Sequence, residues 1–550
     1  MAETRLSQAA LPSAPSAHVD TFCRDSLPPP ELMPHMDYGV LPELAYPSRL
    51  NAAAELLDRR IAAGDGERTV FHFYGGRWTY RHLLETANRI AHVLVDDLGI
   101  VPGNRVLLRG PNHPMLAACW FAVLKAGGVA VCTMPLLRVR ELTYIAGKAQ
   151  IHLALTDTRV AADCEQAFGG AGGRVIHFNT SLPGSLESLM DGKPDTFENC
   201  DTAADDTAFI AFTSGTTGQG KGTMHFHRDV LAACDCFPPH VLKAERDDIF
   251  CGSPPLAFTF GLGGLLLFPL RIGASTLLLQ QASPPQLLQG IQDHRATVVF
   301  TAPTAYRAMT ELVKGFDIQS LRKCVSAGET LPKATFEKWH EATGLSIIDG
   351  IGSTELLHIF VSSPEEEIRP GATGRVVPGY EARVVDDEGN PVPPGTIGHL
   401  AVRGPTGCRY LDNLERQRIY VQNGWNLPGD SYLMDSDGYF WYQARTDDMI
   451  VSSGHNISGP ETEAVLLEHP AVAECGVVGA PDEIRGFIVK AYIVLRPGYA
   501  PGEALIKELQ DFVKSEIAPY KYPRAIEFLE SLPRTDSGKL QRYRLREMNQ

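Results

Sequence analysis

From residue 69 onward, apolar runs of strand length alternate with amphipathic stretches of helix length. TVFHFY, RVLLRG, VAVCTM and LALTD read as strands, and YRHLLETANRIAHVLVDDLG, PMLAACWFAVLKAG and RVRELTYIAGKA between them read as helices. This alternation predicts parallel strands covered by helices on both faces. The polar, Gly-rich stretch 168–206 lacks periodicity and reads as a connection. The pattern returns over 298–350 with TVVFTAP, KCVSAGE and SIIDGIG as strands around two helices, while 371–442 shows period-two segments between Gly/Pro turns, a small β-rich subdomain. After a break near 444–448 comes a unit of helix, two long strands, a second helix and a basic tail. The expected class is α/β. A large N-terminal domain (18–446) of two layered parallel-type sheets plus the β-rich subdomain precedes a small mobile α+β lid (447–550).

Residues 249–270 carry no charge over a length that would span a bilayer. Three prolines and four glycines interrupt that segment, and no basic or aromatic anchors flank it, so it reads as a buried pocket wall with no membrane span. The Ala/Pro/Ser-rich residues 1–17 read as a disordered leader. At 550 residues the chain exceeds one hydrophobic core, and 44% apolar content is enough to fill two. A net charge of −15 argues against nucleic acid as a partner, because no basic excess is available to neutralise a phosphate backbone. The 11 cysteines include no CxxC pair, which points away from zinc and disulfides and toward a reducing cytoplasm. A homodimer is compatible with the sequence, which carries no signal for or against it.

The chemistry concentrates where the strand TAFIAFT runs into SGTTGQGKG. Glycines there let several backbone N–H groups turn toward one anion, Thr213, Ser214, Thr216 and Thr217 add hydroxyls, and Lys221 adds a positive charge. The spacing from Gly215 through Gly218 to Lys221 fits most of a Walker A loop, but Gly222 stands where that motif needs Ser or Thr for magnesium. The loop therefore departs from that of an ordinary P-loop NTPase.

The string TSGTTGQGKG resembles the phosphate loop of the adenylate-forming (AMP-binding) superfamily of acyl- and aryl-CoA ligases, with Gly220 in place of the usual Pro. Further motifs in order extend the resemblance over nearly the whole chain. SAGE supplies Ala327, Gly328 and Glu329 beside the nucleotide, and DGIGSTE supplies Asp349, Gly350, Ile351, Thr354 and Glu355. By resemblance Thr354 contacts the α-phosphate and Glu355 holds Mg²⁺, while Ile351 replaces the usual stacking Tyr. Asp430 matches the ribose clamp, Arg445 a nucleotide-contacting arginine, Asp447 the hinge between domains and Gly454 the path of the pantetheine arm. Lys539 in PRTDSGKLQR matches the catalytic lysine.

The resemblance implies ATP-dependent formation of an acyl-adenylate with release of pyrophosphate, then acyl transfer to coenzyme A. Ala257, Phe258, Phe260 and Gly261, with Gly352 and His358, lie where the family builds its acid pocket, and the rings suit a flat aromatic acid. DGIGSTELLHIF resembles benzoate-CoA ligases, and the sequence as a whole is most similar to 2-aminobenzoate-CoA ligases. His358 reads equally as an acceptor for an ortho amino group and as a structural histidine. An enzyme that loads an aryl acid onto a separate carrier protein would share every motif and stays as the alternative.

Overall fold

The apolar runs become buried strands. The computed structural model describes residues 14–169, 172–213, 220–445, 448–452, 455–482, 486–517, 519–535 and 539–549. Among these, one six-stranded sheet runs Arg174–Phe178, Leu153–Asp157, Arg105–Arg109, Val129–Thr133, Thr207–Thr213, Lys221–Phe226 from edge to edge. Every junction is parallel except the last. Arg105–Arg109 and Leu153–Asp157 are buried at each position, which is why they read as continuous apolar runs. Helix Pro114–Lys125, apolar on all sides, is buried along its whole length, and its terminal Lys125 ammonium reaches the Asp58 carboxylate at 2.7 and 2.8 Å.

A second, nine-stranded sheet contains Ile249–Gly252, Val298–Thr301, Lys323–Ala327 and Ile347–Gly352, with parallel pairing between Ile249–Gly252 and Val298–Thr301, then on to Lys323–Ala327 and Ile347–Gly352. Their C-terminal ends share one edge, the place where open α/β sheets bind ligands. Thr69–Phe73 corrects the sequence reading. It does not join Arg105–Arg109, Val129–Thr133 and Leu153–Asp157 in the first sheet; it pairs with Ser275–Leu277 in this second sheet, Phe71 opposite Thr276, and forms a hairpin with Gly76–Thr79. Alternation reveals that a strand is present but not which sheet receives it, because strand pairing is non-local.

The stretch 168–206 is also more ordered than its composition implied: Arg174–Phe178 extends the first sheet, and Ser185 caps the short helix Leu186–Met190. At the N-terminus, Ser16 and Ala17, assigned by composition to the leader, both hydrogen bond the Asp206 carboxylate, at 2.5 and 2.9 Å.

In the β-rich region, antiparallel strands Glu381–Val385, Ile397–Arg403, Asp430–Met434 and Phe440–Arg445 form a separate sheet. The smaller C-terminal domain is built on the long hairpin Val472–Asp482/Gly486–Leu495, with Ala525–Phe528 parallel to its second strand and helices Gly459–Glu468 and Glu503–Glu516 packed over a core that includes Leu466, Val477, Ile493 and Leu509. The lobes meet through charged side chains: Arg307 to Glu474 at 3.5 Å, Arg534 to Glu329 at 3.4 Å and Arg496 to Glu311 at 3.9 Å. Arg534 also holds Glu474 at 2.7 Å within its own lobe, so Glu329, Arg534, Glu474 and Arg307 form a chain of alternating sign across the seam. Among the described residues no helix is long and apolar enough to cross a membrane.

Candidate active site

Thr213 and Lys221, on either side of the expected phosphate loop, are register partners in an antiparallel pair. Ser214, Gly215, Thr216, Thr217 and Gly218 lie outside the described residues, as do Asp447 and Gly454. At Gly220 a side chain would bring Cβ within 2.9 Å of the Thr213 carbonyl oxygen, so a glycine suits the close approach of the two strand ends. Partial burial, and then Arg416, lower the pKa of the half-buried Lys221 ammonium.

Strand Lys323–Ala327 delivers Gly328 and Glu329 to the sheet edge. Gly328 has φ +90°, a region that favours glycine, and a Cβ there would lie 3.7 Å from Cε of Lys539. Thr304 donates its hydroxyl to Glu329 at 2.5 Å, and Arg534 approaches from the C-terminal lobe. Lys539 thus reaches from the small domain to the loop expected to flank the nucleotide. Its own loop is fastened by two hydrogen bonds: Thr535 N to the Lys539 carbonyl at 2.8 Å, and Lys539 N to the Thr535 hydroxyl at 3.0 Å. Crowding by the surrounding protein lowers its ammonium pKa although the side chain keeps contact with solvent; Glu329, Asp430 and Glu355 oppose that shift and Arg445 adds to it.

Asp430 and Arg445 face each other as register partners on adjacent strands. Arg445 Nη1 donates to both Asp430 oxygens at 3.2 Å and to the Pro428 carbonyl at 3.0 Å, crossing Gly429, where a Cβ would sit 3.0 Å from the guanidinium.

Strand Ile347–Gly352 carries Asp349, Gly350 and Ile351 into the turn that holds Thr354 and Glu355. The turn is strained: Leu357, fully buried, has φ +72°, a conformation that costs a residue with a side chain about 1–2 kcal/mol. His225 Nε2 donates to the Thr354 carbonyl at 2.9 Å, and the Tyr410 hydroxyl donates to Glu355 Oε1 at 2.6 Å. Neither residue is signalled by a sequence motif. Their relevance comes from non-local pairing, since Tyr410 bridges Thr223 on the strand leaving the phosphate loop.

Burial pushes the Asp349 carboxyl up to about 7, and its Oδ1 has no hydrogen-bond partner among the described residues. The folded chain therefore keeps this proton to a higher pH than the unfolded chain. The stability it contributes is full at low pH and is lost as pH rises from about 4 through about 7. Asp349→Asn is expected to flatten that fall. Its unfolding temperature, relative to wild type, should rise between about pH 5 and about pH 8, and a constant difference would show that Asp349 ionises normally.

Of the residues expected to line the acid pocket, Phe260 and Gly352 lie against His358. Its ring is surrounded by Phe237, Phe260, Phe268 and Phe300 at centroid distances of 5.7, 5.6, 4.4 and 6.3 Å. Burial lowers its pKa to about 3, so the imidazole is neutral. Nε2 lies 3.4 Å from the Phe260 carbonyl, which can only accept, so Nε2 carries the proton and Nδ1 is an acceptor, buried and without a partner among the described residues. Ala257, Phe258 and Phe260 are each half-buried.

The glycines of this region mark close backbone approaches. A Cβ on Gly261 would come within 2.1 Å of the Pro255 carbonyl oxygen, and one on Gly352 within 2.6 Å of the His358 carbonyl oxygen. Both are needed where backbone packs on backbone. Gly263, which the motifs did not single out, makes room for the imidazole, with a Cβ position 2.4 Å from His358 Cδ2.

Residues 58–410 match the AMP-binding enzyme model and 461–539 the AMP-binding enzyme C-terminal domain. A benzoate–CoA ligase from Thauera aromatica is 35% identical over 520 residues, covering 92% of this chain and 97% of that protein. Among solved structures, the anthranilate CoA ligase AuaEII in complex with anthranoyl-AMP is 35% identical with a TM-score of 0.88, covering 93% of this chain and 99% of that one. A benzoate CoA ligase from Burkholderia xenovorans is 33% identical with a TM-score of 0.83, covering 90% and 99%. With both halves of the chain matched and a relative 35% identical over nearly its whole length, the protein belongs to the AMP-binding enzyme family and is one of its acyl-CoA ligases.

Proposed function

We propose that the chain is an ATP-dependent aryl-CoA ligase acting on 2-aminobenzoate or benzoate, in the cytoplasm, with Asp447 as the hinge between an N-terminal domain ending near 446 and the C-terminal lid. The observation that carries the choice of acid is His358, a neutral imidazole amid four phenylalanines whose buried Nδ1 has no donor among the described residues. An apolar, ring-lined site favours a flat acid, and an unpartnered buried acceptor favours an acid that brings an N–H. The likeness to an anthranilate CoA ligase and two benzoate CoA ligases supports the same class.

In the first half-reaction the acid's carboxylate oxygen attacks the α-phosphorus of ATP. A P–O bond forms, the bond to the β-phosphate breaks, and pyrophosphate leaves. Lys539 and Thr354 would face the charge that grows on the α-phosphoryl oxygens, while Asp430 and Arg445 orient the ribose side. Glu355 fits a Mg²⁺ ligand, since its Oε2 accepts no hydrogen bond among the described residues. When bound, Mg²⁺ would neutralise phosphate charge. In the second half-reaction the CoA thiol attacks the adenylate carbonyl carbon, a C–S bond forms and AMP departs.

Pyrophosphate release across aryl and fatty acids, with mass analysis of the thioester on CoA, tests the class. A preference for octanoate over both aryl acids would overturn it. Within the class, His358→Leu is expected to lower kcat/KM for 2-aminobenzoate about tenfold to hundredfold more than for benzoate. His358→Asn, which keeps an acceptor near Nδ1, should restore part of the ratio. An unmoved ratio would make His358 a packing residue.

A further inference from the structure

We propose that Tyr410 is a positioning residue for Glu355: its hydroxyl captures one carboxylate oxygen and thereby presents the other to the metal that accompanies the nucleotide. The inference rests on the reading of Glu355 as the metal ligand and extends it to a residue that no motif assigns.

The contact is short and charge-assisted, with the Tyr410 hydroxyl 2.6 Å from Glu355 Oε1. A phenol hydroxyl is a donor and a carboxylate oxygen only accepts, so the proton of this contact sits on Tyr410. Among the described residues Oε2 accepts no hydrogen bond, and one captive oxygen leaves a single-oxygen ligand of fixed direction.

Tyr410 is itself held tightly. It is 2% exposed; its backbone N–H donates to Gln417 Oε1 at 2.9 Å, and its ring meets Tyr420 edge-on at 5.7 Å. The backbone on either side is stitched to the strand leaving the phosphate loop, with Met224 N donating to the Arg409 carbonyl at 2.9 Å and Leu411 N to the Gly222 carbonyl at 2.8 Å. That strand also supplies His225, which holds the Thr354 carbonyl. Tyr420 reaches Ser353 Oγ at 3.1 Å, just before the strained turn. The phosphate-loop strand and the Glu355 turn are thus set against each other through Tyr410, so the metal ligand and the phosphate loop share one reference frame. Carboxylates that bind metals are commonly oriented by such an outer hydrogen bond, and losing it typically weakens metal binding about tenfold to hundredfold.

The test measures Mn²⁺ affinity by electron paramagnetic resonance on the full-length protein, saturated with a non-hydrolysable ATP analogue. Tyr410→Phe is expected to weaken Mn²⁺ about tenfold to hundredfold, and adenylate formation should recover as Mg²⁺ is raised. Thioester formation from supplied aryl-adenylate should keep its wild-type rate. Tyr410→His, which returns an N–H donor, should recover part of the Mn²⁺ affinity. Glu355→Gln separates the two levels. If it weakens Mn²⁺ and Tyr410→Phe does not, the positioning role fails while the ligand assignment stands; if Glu355→Gln leaves Mn²⁺ binding intact, the ligand assignment itself fails. Global unfolding of Tyr410→Phe with no recovery in Tyr410→His would make the tyrosine a packing residue and overturn the proposal.

Discussion

Lys539→Ala is expected to reduce adenylate formation by about a hundredfold to a thousandfold, the usual effect of removing one preorganised charge from a developing oxyanion. Thioester formation from a supplied aryl-adenylate should proceed near the wild-type rate. The lysine reaches Gly328 from the smaller domain, among Glu329, Asp430 and Glu355, and it does so only while the two lobes sit as described. A group that arrives with a domain serves the step for which that domain is in place. Pyrophosphate exchange reads the first half-reaction, and rapid quench with synthetic adenylate and CoA reads the second. Equal losses in both would mean that Lys539 holds the lobes together rather than acting in adenylation.

A large effect on stability is expected from Asp229→Ala. Asp229 and Arg409 form a 2.6 Å ion pair with both side chains fully buried, and the guanidinium lies 3.8 Å over the Phe226 ring. Removing the carboxylate strands a charge away from water, which typically costs about 3–5 kcal/mol. The substitution also removes the acceptor that receives the Phe226 N–H at 2.9 Å where helix His227–Phe237 begins. The midpoint of thermal unfolding should fall by about 3–5 °C. Replacing both partners, as in Asp229→Leu with Arg409→Met, should recover much of that, because an apolar pair leaves no orphan charge. A loss below about 1 kcal/mol would mean that water reaches Arg409.

The strand-and-loop units were legible because they are local. Thr207–Thr213 before the phosphate loop, Ile347–Gly352 before Thr354 and Glu355, and the helices from Tyr80, Pro114 and Lys333 all follow from periodicity and turn chemistry within a few residues. What stayed hidden depends on distant partners. Nothing near Thr69–Phe73 says that it pairs with Ser275–Leu277. Arg174–Phe178 is an edge strand, exposed or half-buried at four positions, so it lacks the apolar signature of its neighbours. That Gly261 meets the Pro255 backbone is likewise set by the fold and not by its neighbours in sequence. Tyr410 sits in a loop whose residues carry no motif, and its meaning comes from Glu355, far away in the chain.

The alternating chain Glu329–Arg534–Glu474–Arg307 across the seam has a kinetic side. Each side chain in it keeps some solvent, from 19% exposure at Glu329 to 33% at Glu474, so each link contributes only about 0–1 kcal/mol. Water can replace such links one at a time. Dissolved salt competes for the same charges over a screening length of about 8–10 Å. The residence time of Lys539 beside Gly328 becomes a property of the medium as well as of the protein, shorter at high ionic strength and longer at low.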